Sequence, residues 1–203
     1  MKVFFTADSH LGETRFGIMN RPGFSDAQTM VDELVEIHNS IVAPDDLVYH
    51  LGDVCYDKAP EFLPQIDRFN GNKILVRGNH DRVFTDEQLA PYFMRIYEEG
   101  TGIELEVEGV PCFAVHYPHL GVNDRFNLTG HIHSAWRFQL NMMNVGVDVN
   151  HYRPVAAEDI PRALKAITEF YDQDVWVAYD ECNRRYQNVR GKQGNRIAEY
   201  HNR

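Results

Sequence analysis

The sequence predicts a single α/β domain, and three features of the chain support this expectation. The first part alternates short apolar runs with segments of helical periodicity, a pattern typical of strands connected through helices. The later part contains short apolar runs separated by Gly, Pro and Asn, which favours antiparallel strands. Of the 203 residues, 43% are hydrophobic and 12% are aromatic, so the chain can bury a substantial core.

Two apolar runs near the start of the chain predict buried strands, at residues 2–7 and 45–51. Each run is too short for a helix and ends in polar residues. Between them, Ser25 and Asp26 can cap a helix whose apolar positions recur every three or four residues until Pro44. Strand, helix and strand in this order form the first unit of an α/β fold.

The remaining elements follow from weaker patterns. A second helix is predicted over residues 59–69, and a turn after it leads into a third strand at 73–77. A last helix is predicted from near Pro161 to near Phe170. Between these elements, short runs predict further strands at 94–98, 103–107, 110–115, 125–129 and 141–145.

The charge is unevenly distributed along the chain. There are 20 Lys and Arg residues against 30 Asp and Glu, a formal net charge of -10, which makes the protein a poor host for a long polyanion. Residues 183–203 nevertheless contain six basic residues and one acidic residue. We therefore expect a domain over residues 1–182 and a basic C-terminal extension over residues 183–203. The extension is either a solvated tail or an arm that attracts phosphate or a partner.

The cysteines and the apolar runs indicate in which cellular compartment the protein is expected. Cys55, Cys112 and Cys182 lie far apart and form no Cys-x-x-Cys pair, which argues against a disulfide framework or a thiolate zinc site. The first residues do not resemble a secretion signal, and no apolar run reaches the length of a membrane span. We therefore expect a cytoplasmic protein that does not associate with membranes.

Five of the apolar runs end in residue types that bind metal ions. Loops beyond the strand ends form the crevice where α/β proteins bind ligands, so these loops can converge on one site. In an extended segment, residues i and i+2 face the same side, which pairs Asp8 with His10 and His131 with His133. The seven candidate ligands are Asp8, His10, Asp53, Asn79, His116, His131 and His133.

The chemistry of these side chains indicates divalent first-row metals. Carboxylate, imidazole and amide groups without thiolate suit manganese, iron, zinc, nickel or cobalt, and we expect manganese first. Seven candidates exceed the usual ligand set of one zinc ion. The sequence therefore favours two metal ions with one carboxylate bridging them.

Other side chains near these motifs have plainer explanations. His38 and His50 fall in apolar surroundings, so we expect both to be hydrogen-bonded histidines of the core. His119 is a rival to His116 because it lies three residues further on, but the strand ends at His116. Cys55 is expected to be a small buried residue that fills space.

The ordered series of motifs resembles the calcineurin-like metallophosphoesterase superfamily. The series is Asp8-x-His10, Gly52-Asp53, Gly78-Asn79-His80-Asp81, His116 and Gly130-His131-x-His133. Arg21-Pro22 and the stretches 46–53 and 145–148 further resemble a small bacterial and phage branch of phosphoesterases. Gly12-Glu13 stands where that branch often has Gly-His, which argues against a substrate contact at Glu13. The resemblance implies a four-layer α/β sandwich of two mixed β-sheets flanked by helices, of the metallo-dependent phosphatase type.

The resemblance also implies a role for each site residue. A hydroxide bridging the metals would attack phosphorus in line, His80 would stabilise charge or protonate the leaving oxygen, and Asp81 would orient the His80 imidazole. Among the arginines near the motifs, Arg21 is the one expected to contact substrate phosphate. One metal would be held by Asp8, His10, Asp53 and His133, and the other by Asp53, Asn79, His116 and His131, with Asp53 as the bridge.

The function implied by the resemblance is hydrolysis of a phosphoester. We expect a phosphodiesterase that acts on a small diester, a cyclic nucleotide or a nucleic-acid end. The nearest alternative is a phosphomonoesterase that acts on nucleotides or phosphoproteins. A third possibility is an interaction module that is stabilised by metals and has no activity. No motif identifies a protein partner.

Overall fold

Two five-stranded β-sheets form the centre of the protein. A computed structural model describes residues 1–17 and 19–170. The first sheet has the strand order β10-β1-β2-β3-β4, in which β1 to β4 are parallel and β10 is antiparallel to β1. Its strands are β1 (Val3–Thr6), β2 (Leu47–His50), β3 (Asn72–Val76), β4 (Arg95–Tyr97) and β10 (Val155–Ala156).

The second sheet has the strand order β5-β6-β7-β9-β8. Its outer pairs, β5 with β6 and β8 with β9, are antiparallel, whereas β6, β7 and β9 run parallel to each other. The prediction of two mixed sheets is therefore confirmed. The strands are β5 (Ile103–Val107), β6 (Val110–Ala114), β7 (Phe126–Thr129), β8 (Phe138–Gln139) and β9 (Met142–Asn144).

The expectation of antiparallel pairing throughout the later part of the chain is wrong in two places. β4 joins the first sheet as its fourth parallel strand, and β7 is parallel to both of its neighbours. Short apolar runs bounded by turn residues indicate where strands lie. They do not indicate whether the loop between two strands is a hairpin, which makes the strands antiparallel, or a crossover, which makes them parallel. The segment between β6 and β7 contains a 3₁₀ turn at Pro118–Leu120, which gives the chain enough length to cross over.

Three α-helices are present in the described residues: α1 (Ala27–Asn39), α2 (Asp86–Leu89) and α3 (Ile160–Phe170). The predicted cap of α1 is confirmed, because the Asp26 side chain accepts a hydrogen bond from the Thr29 backbone N–H at 2.8 Å. The weak helix expected over residues 59–69 is instead a 3₁₀ helix, Pro60–Arg68. Pro64 lies inside it and lacks the N–H that an α-helix would use.

The two faces of the first sheet pack against different partners. Phe5, Leu51 and Val76 belong to a buried cluster shared with the second sheet and with α3. Leu75 belongs to a second cluster formed with α1 and the 3₁₀ helix. Because neighbouring residues of a strand point to opposite faces, Leu75 and Val76 contact these two different layers. The expected architecture of two mixed sheets with flanking helices is confirmed.

Both sheets contain parallel strands, and the loops that follow these strands lie at one edge of the two packed sheets. The strands concerned are β1, β2, β3, β6 and β7. Among the helices of residues 1–17 and 19–170, none is long and apolar enough to cross a membrane. The end of the expected domain, residues 171–182, and the basic extension 183–203 lie outside the described residues.

Candidate metal centre

The strand-end loops bring the predicted ligands together. Three overlapping triads each offer one ligand atom per residue, and within a triad these atoms lie within 4.8 Å of one another. Asn79 joins the last triad, with its Oδ1 atom 2.9 Å from His131 Nδ1 and 3.4 Å from His116 Nε2. The triads are Asp8–His10–His133, His10–Asp53–His80 and Asp53–His116–His131.

Asp53 occupies the middle of this arrangement. Its Oδ2 atom lies 3.4 Å from His10 Nε2 on one side and 3.5 Å from His116 Nε2 on the other. Its other oxygen, Oδ1, accepts a hydrogen bond from the His80 backbone N–H at 2.8 Å. One carboxylate oxygen is therefore fixed by the protein, and the other faces both halves of the site.

The backbone is strained at most of the candidate ligands. The angle φ is 60° at Asp8, 46° at His10, 57° at Asp53, 74° at His131 and 49° at His133. L-residues seldom adopt this left-handed region, and its occurrence is concentrated at functional sites. Two loops support each other in this conformation, because Asp8 N–H donates to Gly52 O and His10 N–H donates to Asp53 O, both at 3.0 Å.

Gly78 is the residue that lets the Asp53 carboxylate approach the chain. A Cβ atom at position 78 would lie 2.3 Å from Asp53 Oδ1 and 2.8 Å from His116 Cε1. Both distances are well inside van der Waals contact. The glycine of the third motif therefore leaves the space that two of the candidate ligands occupy.

The residues present fit a metal ion. His10 is 1% exposed, and neither of its ring nitrogens has a hydrogen-bond partner among the described residues. Burial lowers the pKa of His10 to about 4, so the ring is the neutral imidazole that metals bind. A buried imidazole without partners is costly unless something else occupies its lone pair.

The charges of the site also fit a cation. Burial raises the pKa of Asp8 to about 6. Burial alone would lower the pKa of His116, but hydrogen bonding to Asp53 and the charges of Asp8 and Asp53 raise it to about 9. The buried carboxylates thus hold protons on neighbouring groups, and a bound cation would take the place of those protons.

Two of the imidazoles are oriented through Nδ1. The Nδ1–H of His116 donates to the Leu51 carbonyl at 2.6 Å, and that of His133 donates to Asp148 Oδ2 at 2.7 Å. Each bond directs Nε2 toward the centre, as is usual for metal-binding histidines. Asp148 was not among the predicted site residues. Its position shortly after β9, two residues beyond Gly146, was the sequence signal available for it.

Arg21 does not lie where the sequence analysis expected a phosphate contact. Its side chain is fully buried, and its guanidinium donates to Asp148, to the Ser9 carbonyl at 2.9 Å and to the Asp8 carbonyl. A guanidinium enclosed in this way cannot reach a substrate. Arg21 instead holds the first loop and Asp148 together beneath the site.

The structure also corrects the expectation that Asp81 orients the His80 ring. Asp81 accepts hydrogen bonds from the backbone N–H groups of Gly78, Asp53 and Val54 at 2.8 to 3.0 Å, so it fixes two loops rather than the His80 ring. Burial raises the pKa of Asp81 to about 6. The partner of His80 Nδ1 is Asp57 Oδ1, at 3.0 Å.

Three side chains follow one another in contact from His80, and Arg15, the exposed one of the three, lies at the rim of the site. The Tyr56 ring lies 5.8 Å from the His80 ring, and the Arg15 guanidinium lies 4.6 Å from the Tyr56 centroid. Glu13 is fully buried and accepts from Arg15 Nε at 3.0 Å and from Nη2 at 2.7 Å. Glu13 therefore positions an arginine that remains partly exposed at the rim.

The plainer explanations for other residues are confirmed. His38 is buried with Nε2 3.0 Å from the Asn70 carbonyl, and His50 is buried with Nε2 2.8 Å from Ser9 Oγ. His119 is exposed and belongs to none of the three triads, whereas His116 belongs to one. Cys55 is buried, and its thiol donates to the Leu11 carbonyl.

This chain is similar to known proteins in sequence and in fold. A sequence model described as calcineurin-like phosphoesterase matches residues 1–179. The uncharacterized protein MJ1445 of Methanocaldococcus jannaschii is 26% identical over 172 residues, which cover 81% of this chain and 92% of that protein. The crystal structure of AQ665, a protein of unknown function from Aquifex aeolicus, is similar with a TM-score of 0.61. It has 24% identity and covers 80% of this chain and 98% of its own, which supports the fold. This chain belongs to the calcineurin-like phosphoesterase family.

Proposed function

We propose that this protein is a phosphodiesterase that uses two divalent metal ions. The observation that carries the proposal is the position of Asp53 Oδ2, which faces His10 on one side and His116 on the other at nearly equal distances. Such a shared carboxylate suits a pair of metals better than a single ion. The substrate would be a small diester, a cyclic nucleotide or a nucleic-acid end.

Each metal would have its own ligand set around the shared Asp53. The ions, when bound, would lower the pKa of water to about 7 and neutralise phosphate charge. The oxygen and nitrogen ligands suit manganese, iron, zinc, nickel or cobalt, and manganese is the ion we would supply first. One set would be Asp8, His10, Asp53 and His133, and the other Asp53, Asn79, His116 and His131.

His80 is the residue proposed to serve the leaving group. Its ring lies 4.6 Å from the His10 ring, and its side chain is 22% exposed, so it borders the metal centre and is accessible from solvent. The Asp57 carboxylate bonds to Nδ1, which leaves Nε2 free to hold a proton. A proton donated from Nε2 to the departing oxygen would avoid a poor alkoxide leaving group.

Arg15 is the side chain proposed to contact the substrate beyond the reacting phosphorus. Its Nε and Nη2 atoms are bound by Glu13, while Nη1 forms no hydrogen bond within the described residues. A phosphodiester carries less negative charge at neutral pH than a phosphomonoester. One partly exposed arginine, linked to His80 through the Tyr56 ring, is a modest cationic supplement to the metals, and this favours the diester.

The central experiment compares bis(p-nitrophenyl) phosphate with p-nitrophenyl phosphate, each with manganese and with the other candidate metals. We expect metal-dependent hydrolysis with the diester preferred. His80 shares a triad with His10 and Asp53, but each proposed ligand set is complete without it. His80→Ala should therefore lower kcat by about 10² to 10⁴ while elemental analysis still finds both metals. His119→Ala, an exposed histidine outside the triads, is the matched control.

Three results would contradict the proposal. Faster hydrolysis of the monoester would establish a phosphomonoesterase instead. Full metal uptake without hydrolysis of either compound, together with a tightly bound protein partner, would indicate an interaction module. An unchanged rate in His80→Ala would remove His80 from the reaction.

Arg15→Gln tests the rim contact. For a diester with an anionic leaving group, such as a dinucleotide bearing a terminal phosphate, KM should rise about tenfold, the size expected for one charged hydrogen bond. KM for bis(p-nitrophenyl) phosphate, whose leaving group lacks that phosphate, should change little. Equal increases for both substrates would show that Arg15 supports the site without reading the substrate.

A further inference from the structure

A groove outside the metal centre has an unusual lining. It is formed by the β8–β9 edge, the loop after Val149 and one side of α3, with a volume of about 410 Å³. Phe138, Met143 and Ala163 give it an apolar surface. The volume is within the range of small-molecule sites. None of its lining residues belongs to the candidate metal triads.

The arginines of the groove differ from most others in the described residues. Within residues 1–17 and 19–170, Arg137, Arg153 and Arg162 line the groove without an ion pair to a carboxylate, and the Arg137 guanidinium lies 5.3 Å from the centroid of the Phe138 ring. Arg95, which lies over Tyr97, is the other described arginine without such an ion pair. Three guanidiniums without a carboxylate partner in the described part of the chain are unexpected on one groove of a protein with a net charge of -10. The described arginines that do pair with a carboxylate are Arg15, Arg21, Arg68, Arg77, Arg82 and Arg125.

Asp159 is the acidic residue of the lining and His151 is the histidine. The guanidiniums outnumber the carboxylate, so the groove is positive whatever the charge of His151. Guanidinium groups bind phosphate through parallel N–H bonds. The charge of the groove therefore favours a ligand that carries phosphate.

Asn150 supplies a second, independent observation. The residue is 5% exposed and lines the groove, and its Oδ1 atom has no hydrogen-bond partner among the described residues. Its Nδ2 atom donates to the Asn144 carbonyl at 3.0 Å and to the Gly146 carbonyl at 2.8 Å, so the amide is held in place. A buried acceptor without a donor indicates that a ligand N–H group or a water completes the site.

We propose that this groove binds a nucleotide at a site separate from the metal centre. The phosphate contacts the arginines, the planar base packs on the apolar surface beside Phe138, and a base N–H donates to Asn150 Oδ1. Each of the three features matches one part of a nucleotide, whereas inorganic phosphate would use only the arginines. The proposal does not depend on the chemistry of the metal centre.

The test measures binding to the full-length, metal-loaded protein by calorimetry. The probe is the phosphonate analogue of adenosine 5′-monophosphate, in which CH₂ replaces the ester oxygen, so that no ester can be hydrolysed. We expect binding that persists in Asp53→Asn, where the metal centre is disabled. Arg153→Gln combined with Arg162→Gln should weaken binding tenfold or more, on the order of one or two charged hydrogen bonds. Arg95→Gln changes an arginine elsewhere that has no carboxylate partner among the described residues, and this variant should bind like the wild type.

Comparison ligands decide between the remaining outcomes. Adenosine and inorganic phosphate should each bind at least tenfold more weakly than the analogue, since each lacks one of the matched parts. Equal binding of inorganic phosphate would reduce the groove to a simple anion site and overturn the nucleotide assignment. Much tighter binding of a single-stranded 12-mer would identify a nucleic-acid surface instead. Loss of binding in Asp53→Asn alone would place the ligand at the metal centre.

Discussion

The loops after the first sheet and the loops after the second sheet supply different chemistry to the same centre. The first sheet contributes both carboxylates, Asp8 and Asp53, whereas the second contributes imidazoles only. The carboxylates are held by backbone N–H groups, as where His131 N–H donates to Asp8 Oδ1 at 3.0 Å. The imidazoles are held by acceptors, as where His116 donates to Leu51 O. Each of these bonds crosses from one sheet to the other, so neither half of the site is built by its own sheet alone.

The largest effect is expected from a change on the carboxylate side. Gly78→Ala would place a methyl group 2.3 Å from Asp53 Oδ1, and the shared carboxylate would have to move. We expect loss of both metals rather than one, measured by elemental analysis of protein dialysed against manganese.

Gly17→Ala is the matched control, because a Cβ atom there meets nothing within 4 Å. It should retain full metal content. If Gly78→Ala also kept both ions, the shared position of Asp53 would not be needed for either one.

A smaller effect is expected on the imidazole side. Asp148→Asn would weaken the acceptor that orients His133 and the ion pair with Arg21, which holds the Asp8 loop. Asp8 and His133 belong to the same proposed ligand set. Loss of such a partner typically lowers metal affinity by about 10- to 100-fold. Calorimetric titration with manganese should show one weakened site and one unchanged site. Asp124→Asn, an exposed carboxylate elsewhere, serves as the control, and equal weakening of both sites would contradict the division into two sets.

The smallest effect concerns a histidine that belongs to neither set. Burial lowers the pKa of His38 to about 4. Below pH 6.5, His38 therefore binds a proton in the unfolded chain but not in the folded chain. The free energy of unfolding should therefore fall as the pH drops from 6.5 toward 4. His38→Gln should remove about 1 kcal/mol of this loss at about pH 5.5.

Urea denaturation of the metal-free protein at several pH values measures this effect. His119→Gln, at an exposed position, should leave the pH dependence as it is. A decline in His38→Gln that is as steep as in the wild type, or steeper, would contradict the assignment.

The sequence predicted the parts of the site that depend on neighbours along the chain. Asp8, Asp53 and His131 follow apolar runs directly, so their convergence could be inferred from strand ends alone. Asp148 could not be inferred in the same way, because its contacts to Arg21 and His133 join residues far apart in the sequence. Arg21 was placed wrongly for the same reason, since its burial depends on packing that no local pattern encodes.

The backbone conformation of the candidate ligands affects more than coordination. Five of them hold positive φ angles, at a cost on the order of 5 kcal/mol in total. A typical domain has a net stability of only about 5 to 15 kcal/mol, so this is a large fraction. Metal cations that bind only the folded state would offset part of this conformational free-energy cost. The melting temperature therefore depends on metal occupancy of the centre. Protein treated with a chelator should melt at a temperature well below that of metal-loaded protein.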